Sequence, residues 1–299
     1  MVILRSSQVA QSGREAAPLE LPDDALSSDN RWPRRVMSTV DGSQSGISVF
    51  FPAFNDARNL RVMVPRTMEV LLSIATDFEV LVIDDGSTDE TPAVLSELQR
   101  QFPSLRVVRH PRNLGYGAAL GSGFRNATKQ LVFYTDGDGQ YDVSELPALL
   151  AKLEGGVGVV NGYKIQRADP AHRRLIGSLY RRLVKFLFHL NLRDVDCDFR
   201  LLRRGVLDAV HLTLQSGAVC VELMTQVERA GFRVEEVPVH HYPRLNGRSQ
   251  FFRPGPVARM LFDVARLWVR LILLKRGPGT PERQAKASVV EGTRARATD

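Results

Sequence analysis

The chain has 299 residues, 43% of them hydrophobic and 24% charged, proportions that exclude fibrous, collagen-like and wholly disordered classes. Forty Lys and Arg against 33 Asp and Glu leave a formal charge of +7, which points to an anionic partner without choosing among nucleotide, nucleic acid and membrane surface. Two cysteines, Cys197 and Cys220, make no disulfide framework, and a reducing compartment is the default.

Residues 1–45 are rich in Ser, Asp, Arg and Pro without periodicity, and read as a disordered leader. They carry no long apolar run, so no secretory signal is expected, and Met37 is an alternative start. From residue 46 apolar β-branched runs alternate with helical patterns. Ile47–Phe51 is a predicted strand, Arg58–Ala75 a helix that tolerates Pro65, and Phe78–Ile83 a strand ending in Asp84-Asp85-Gly86-Ser87. Ser87 with Glu90 reads as a capping box opening the next helix. Leu105–Arg109 is a strand, Ala118–Thr128 a helix, and Gln130–Thr135 a strand ending in Asp136-Gly137-Asp138-Gly139. Asp142 with Glu145 repeats the cap signal, and Val157–Val160 is a short strand. Such alternation predicts an α/β fold, a mostly parallel sheet with helices on both faces. Ligands of these sheets bind at the carboxyl ends of the strands, where both acidic clusters fall.

Beyond residue 165 the pattern changes. Ala171–His189 is a basic amphipathic helix, Asn191–Arg200 a loop, Val219–Ala230 a helix and Arg233–His240 a strand. A final helix covers Val257–Lys275, and the tail from Gly277 resembles the leader in character.

Alternate residues of extended backbone share a side, so Asp136 and Asp138 can face one hard cation, and Mg²⁺ or Mn²⁺ is commonly shared between carboxylates and substrate phosphates. The competing reading is a plain acidic turn. A carboxylate at Asp84 or Asp85 can accept from a base N–H or a ribose hydroxyl; the competing reading there is helix capping. Asn113-Leu114-Gly115-Tyr116-Gly117 precedes a helix but lacks both the Walker ending and a full G-x-G-x-x-G, which disfavours a P-loop or dinucleotide fingerprint. His240 and His241 have no Cys or acidic partner at zinc-ligand spacing and read as strand and loop residues.

Taken in order, Pro52-Ala53-Phe54-Asn55-Asp56, Val82–Asp89, Asn113–Ala119, Asp136–Gln140, Asp198-Phe199-Arg200 and Glu236–Val239 followed by Arg244, Gly247 and Ser249 resemble a family 2 glycosyltransferase of the GT-A fold. The likeness spans residues 46–256 and is nearest to the polyprenyl-phosphate (dolichyl-phosphate) branch. It implies a Rossmann-like GT-A sheet. Pro52, Phe54 and Asp56 with Asp84 and Asp85 would hold the base and ribose of a nucleotide sugar, with Gly115 and Gly117 close by. Asp136, Asp138 and Gln140 would surround Mg²⁺ or Mn²⁺ on the diphosphate. Arg244 and Ser249 would lie in a mobile acceptor loop, and Arg173, Arg182 and Arg200 are further candidates for the acceptor phosphate. Asp198 is the candidate base or acceptor-positioning group, its alternative being an ion pair with Arg200 or Arg203. Three departures stand out: Asp56 where Glu is usual, Asp198 where Gly is frequent, and Gln250 where Lys is frequent.

Arg173, Arg174, Arg181, Arg182 and Lys185 accompany Leu175, Ile176, Leu179, Leu183, Phe186 and Leu187, a division that suits an anionic membrane surface. In the last helix Arg259, Asp263, Arg266 and Arg270 form a polar stripe beside Met260, Leu261, Phe262, Leu267, Trp268, Leu271 and Ile272. The competing reading is that both helices pack on the core with their charges solvated. Residues 164–204 carry eleven Lys and Arg against four Asp, a local +7 equal to the whole-chain excess. No uncharged apolar stretch reaches the roughly 18 residues of a membrane span.

The leading expectation is therefore an inverting, metal-dependent transferase. It would move a sugar from a nucleotide sugar to a polyprenyl phosphate, as a peripheral protein on the cytoplasmic face of the cell membrane. The alternatives are transfer to a soluble glycan or hydroxyl compound, and a nucleotidyltransferase, which usually shows a basic Gly-rich signature that PAFND is not. A nucleic-acid-binding module rests on charge alone, and nucleic acid is not an expected partner. The expected division is a leader (1–45), a catalytic domain (46–256) with a basic acceptor segment (165–204), an amphipathic helix (257–276) and a tail (277–299).

Overall fold

Apolar, β-branched runs bounded by turn residues become strands, and seven of them pair into one sheet. The computed structural model describes residues 46–165, 171–244 and 254–274. The expected leader, the tail, Gly247, Ser249 and Gln250 lie outside them, as do the side chains of Arg173 and Arg174.

The strands are β1 (Ile47–Ala53), β2 (Phe78–Asp84), β3 (Leu105–Arg109), β4 (Leu131–Thr135), β5 (Val157–Ile165), β6 (Phe199–Arg203) and β7 (Arg233–His240). Their order is β3-β2-β1-β4-β6-β5-β7. All neighbours run parallel except β6, which is antiparallel to both β4 and β5. The order reverses between β1 and β4, the kind of switch point at which a crevice opens beyond the strand ends.

Alternation along the central strands sorts the core onto two faces. Val49, Phe51, Val80 and Val82 pack on one side with α1 (Ala57–Ile74), α2 (Thr91–Gln101) and α4 (Leu146–Leu150). Phe50, Leu81 and Ile83 pack on the other with α3 (Tyr116–Asn126), α5 (Ala171–Phe188), α7 (Val219–Arg229) and α8 (Pro254–Trp268). Pro65 sits inside α1 without ending it, as expected. Helix α3 lies close to the sheet because Gly123 has no side chain: a Cβ there would fall 2.2 Å from the Phe50 ring.

Three local expectations are corrected. The stretch after Asn191 is not loop throughout, since Phe199–Arg203 forms β6 and α6 (Arg204–Ala209) follows; a charged residue, Arg200, hides the strand pattern. Ser87 does not cap α2, which starts at Thr91, where Asp89 Oδ1 accepts from Thr91 N at 2.9 Å. Asp142 does cap, accepting from Ser144 N at 2.9 Å, but it opens a 3₁₀ turn (Val143–Glu145) before the short α4. Strand β5 also runs on to Ile165, carrying Lys164 to the same sheet edge as the acidic clusters.

Candidate active site

The parallel register levels the ends of three strands. Ala53 pairs with Asp84, and Asp84 with Arg109, so the loops after β1, β2 and β3 meet at one edge. The loop after β1 is stapled to the loop after β2 by Asn55, whose φ of 57° places it in the left-handed region, one that Asn tolerates. Asn55 N donates to Ser87 Oγ (2.9 Å), while its Oδ1 accepts from Thr88 N (2.9 Å). Ser87 is therefore a loop tie. Beyond these ends lies an open cleft of about 610 Å³, lined by Phe54, Ser87, Thr88, Arg109, Arg112 and Asn113 among others. Phe54 lines this cleft, and so do Arg109 and Arg112, which the sequence reading does not single out.

The acidic pair after β2 contacts residues that line that cleft. Asp84 is fully buried, accepts from Ser87 N (2.9 Å) and lies 3.3 Å from Arg109 Nε. Asp85 accepts from Leu114 N and Gly115 N, both at 2.9 Å, and meets His110 Nδ1 at 2.6 Å. Main-chain donors thus engage Asp85 and one oxygen of Asp84, while the buried Asp84 Oδ2 accepts no hydrogen bond among the described residues and faces Arg109. Gly115 and Gly117 are required for packing. A Cβ on Gly115 (φ 99°) would fall 2.7 Å from Gln215 O, and one on Gly117 2.2 Å from Leu214 O.

The second acidic group forms a true cluster. Antiparallel pairing of Thr135 with Phe199 places Asp136 and Asp198 at adjoining strand ends across β4 and β6. Asp136 is pushed well above the usual carboxylate range, first by burial and then by Asp198 and Asp138. Asp138 is raised by burial, and Arg244 and the Gln140 amide pull against that. Its Oδ2 pairs with Arg244 Nη2 at 2.7 Å and its Oδ1 accepts from Gln140 N at 3.0 Å. Asp56 is pushed up to about 6, chiefly by burial and further by Asp138. Gly137 sits against the end of β1, where a Cβ would lie 2.8 Å from Pro52 O.

Gln140 ties two segments together. Its side chain donates to Tyr242 O (3.0 Å) and its carbonyl accepts from Tyr242 N (2.9 Å), which brings the segment after β7, with Arg244, over Asp138. Asp198 pairs with neither arginine proposed for it: Cys220 Sγ donates to its Oδ1 at 3.0 Å. Arg203 turns to the carbonyls of Val157 and Leu153. Arg200, a candidate phosphate contact, is fully buried, donating to Asn161 Oδ1, the Tyr134 hydroxyl and the carbonyls of Val195 and Cys197. It braces the chain entering β6 and does not reach the cleft. Arg182 is exposed on α5, away from these contacts.

Two participants escaped the sequence reading. Tyr116, present in the quoted turn, donates its hydroxyl to Asp136 Oδ1 at 2.8 Å. Lys164 at the end of β5 is half-buried, donates to Asp196 O and adds positive charge near Asp138 and Asp198. The signal for Lys164 was its place at a strand end.

The donor set is chemically suited to a hard divalent ion: buried carboxylates crowd one another, and a cation would relieve that repulsion. Among the described residues no three His, Cys, Asp or Glu side chains form a complete metal group.

This arrangement has known counterparts. An undecaprenyl-phosphate 4-deoxy-4-formamido-L-arabinose transferase from Enterobacter sp. (strain 638) is 31% identical over 208 residues, 69% of this chain and 62% of that protein. The chain thus matches less than two thirds of that relative's length. Among solved structures, glucosyl-3-phosphoglycerate synthase from Mycobacterium tuberculosis, in complex with Mn²⁺, UDP-glucose and phosphoglyceric acid, aligns with a TM-score of 0.60 at 19% identity, over 80% of this chain and 85% of that one. A mannosyltransferase from Pyrobaculum calidifontis, in complex with GDP-Man and Mn²⁺, aligns with a TM-score of 0.56 at 18% identity, over 82% and 69%. These likenesses bear out the expected GT-A type of α/β fold. The model of glycosyl transferase family 2 matches residues 48–210, more than half of the sequence. The chain belongs to glycosyl transferase family 2.

Proposed function

We propose that the protein transfers a sugar, with inversion, from a nucleotide sugar to a polyprenyl phosphate at the inner face of the cell membrane. The observation that carries this is the group formed by buried Asp138 and half-buried Asp136 and Asp198 beside Arg244, at the switch point of the sheet. The named acceptor of the Enterobacter relative supports the lipid phosphate.

Asp136 and Asp138 would hold Mg²⁺ or Mn²⁺, and both named complexes of the solved relatives contain Mn²⁺. Bound there, the ion would supply Lewis acidity and neutralise charge on the diphosphate. An incomplete protein cage suits an ion that shares its ligands with substrate phosphates. The cleft beside Phe54, Arg109 and Arg112 would take the nucleoside part. Arg244 brings fixed positive charge to the place where the leaving diphosphate gains negative charge. A lipid phosphate oxygen is already anionic near neutral pH, so Asp198 need only orient the acceptor; a hydroxyl acceptor would require it as a base.

The membrane reading rests on side chains that point outward. On α5, Ile176, Leu179, Leu183 and Phe186 are exposed at spacings of three and four, and Phe186 is 76% exposed. Arg182 and Lys185 flank them, while Val184 and Phe188 fill the core. On α8 and the π turn after it, Phe262, Val269 and Leu273 are exposed, and Met260, Val264, Leu267 and Leu271 are buried. Trp268 Nε1 donates to Leu187 O at 2.9 Å, joining the two helices. An apolar stripe beside cations fits an anionic bilayer surface. Among the described residues no helix is long and apolar enough to cross one. Two free, buried thiols are in keeping with a reducing compartment.

The test is to incubate the full chain with a panel of nucleotide sugars, Mn²⁺ or Mg²⁺, and polyprenyl phosphate. A lipid-linked sugar should form, and it should vanish with EDTA or with Asp138→Ala. Transfer to soluble hydroxyl acceptors alone would overturn the lipid assignment, and full activity of Asp138→Ala would overturn the metal assignment.

A further inference from the structure

The Asn113–Gly117 turn looks like a phosphate loop, yet its amides are already engaged. Leu114 N and Gly115 N donate to Asp85, and Gly117 N donates to Gln215 O at 2.9 Å. A phosphate would find those three donors taken. What the turn does present to the acidic cluster is the Tyr116 hydroxyl, 2.8 Å from Asp136 Oδ1. We propose that Tyr116 is a positioning residue, and that this turn is built to hold its phenol against Asp136 so that the carboxylate is oriented for the divalent ion.

The support for the phenol is rigid on both sides. Helix α3, which Tyr116 opens, meets the sheet through Gly123 and Phe50, and meets the 214–215 backbone through Gly117, with no room for a Cβ at either contact. Asp85 pins the turn just before the tyrosine. A phenol is protonated at neutral pH and is therefore a donor there. Asp136 needs such a donor, because Asp198 and Asp138 both repel it. A hydrogen bond to one oxygen fixes the carboxylate plane and leaves the other oxygen for a cation. Partners that orient a metal ligand in this way are worth about 10–100-fold in metal affinity.

This inference rests on the metal reading proposed above. It is tested on the full chain with Tyr116→Phe, which keeps the ring and removes the hydroxyl. Binding of Mn²⁺ alone is followed by electron paramagnetic resonance, with thermal unfolding alongside. The expected result is about 10–100-fold weaker Mn²⁺ binding, with an unfolding midpoint close to wild type. Unchanged affinity in Tyr116→Phe, where wild type binds Mn²⁺, overturns this inference alone. Wild type that binds no Mn²⁺ overturns the metal reading and this inference with it. Weaker binding that disappears at a temperature where Tyr116→Phe is fully folded reflects general damage and also overturns the proposal.

Discussion

Arg244 Nη2 lies 2.7 Å from Asp138 Oδ2, so the segment leaving β7 is tied by charge to the turn leaving β4. The carboxylate is buried and the guanidinium half-exposed, which leaves the arginine free to swing toward an incoming diphosphate. Arg244→Ala should lower kcat by about 10²–10³-fold, the scale for loss of a fixed charge aimed at a developing anion. Removing the guanidinium also frees Asp138, so Mn²⁺ affinity of the nucleotide-free protein should hold or rise. Parallel loss of both in a titration would show that Arg244 only supports the loop.

Asp56 gives a prediction with a sign. Burial, reinforced by Asp138, raises its carboxyl from 3.8 to about 6, against the hydrogen bonds from Phe54 N and Asn59. The folded protein therefore holds this proton more tightly than the unfolded chain. The stability it contributes is present below about 3.8 and is lost as the pH rises through about 6. Asp56→Asn removes the titration. Relative to wild type, its stability should improve by roughly 1–3 kcal/mol between pH 4 and pH 7, read from denaturant unfolding at the two values. A difference that stays constant with pH would assign the whole effect to the lost hydrogen bonds.

Arg200 is expected to matter for stability. Its four acceptors lie on β5, β4 and the entry to β6, and Arg200→Ala would leave them unsatisfied around a cavity. The loss should be roughly 3–5 kcal/mol in chemical unfolding. Arg200→Lys should recover little of it, because an ammonium cannot reproduce the planar fork of donors. Near-wild-type unfolding of Arg200→Ala would return this residue to the list of phosphate contacts.

For the outward stripe of α5, Phe186→Ser and Leu183→Ser should weaken co-sedimentation with vesicles containing phosphatidylglycerol while leaving the unfolding midpoint unchanged. Neutralising Arg182 and Lys185 should cost about 1 kcal/mol of binding per charge at low salt, several-fold in affinity each. Binding that survives both sets of substitutions would make this helix a solvated surface.

Much of the fold was legible because strand and helix periodicity are local properties. Ile47–Phe51, Phe78–Ile83 and Leu105–Arg109 were placed within a few residues of β1, β2 and β3. The antiparallel β6 was missed because Arg200 interrupts an apolar run, and only the acceptors contributed by Asn161 and Tyr134 make burying that charge tolerable. The motif Asn113–Gly117 was visible, but its task was not: the backbone that demands Gly117 comes from residues 214–215, about a hundred positions away.

By itself, the sequence determined the α/β class, the family, and the placing of Asp136 and Asp138 at a strand end, because each depends on residue type and short-range spacing. The tertiary structure decided which acidic residues meet and which partners they find. Asp85 accepts from two amides of the 114–115 turn, whereas among the described residues the Asp84 carboxylate accepts from Ser87 N alone. Asp198 joins Asp136 only because β6 runs antiparallel beside β4, and Tyr116 and Cys220 reach these two carboxylates from separate helices. Carboxylates meeting in a buried space shift one another's charge, and that coupling depends on distance and burial that no linear motif contains.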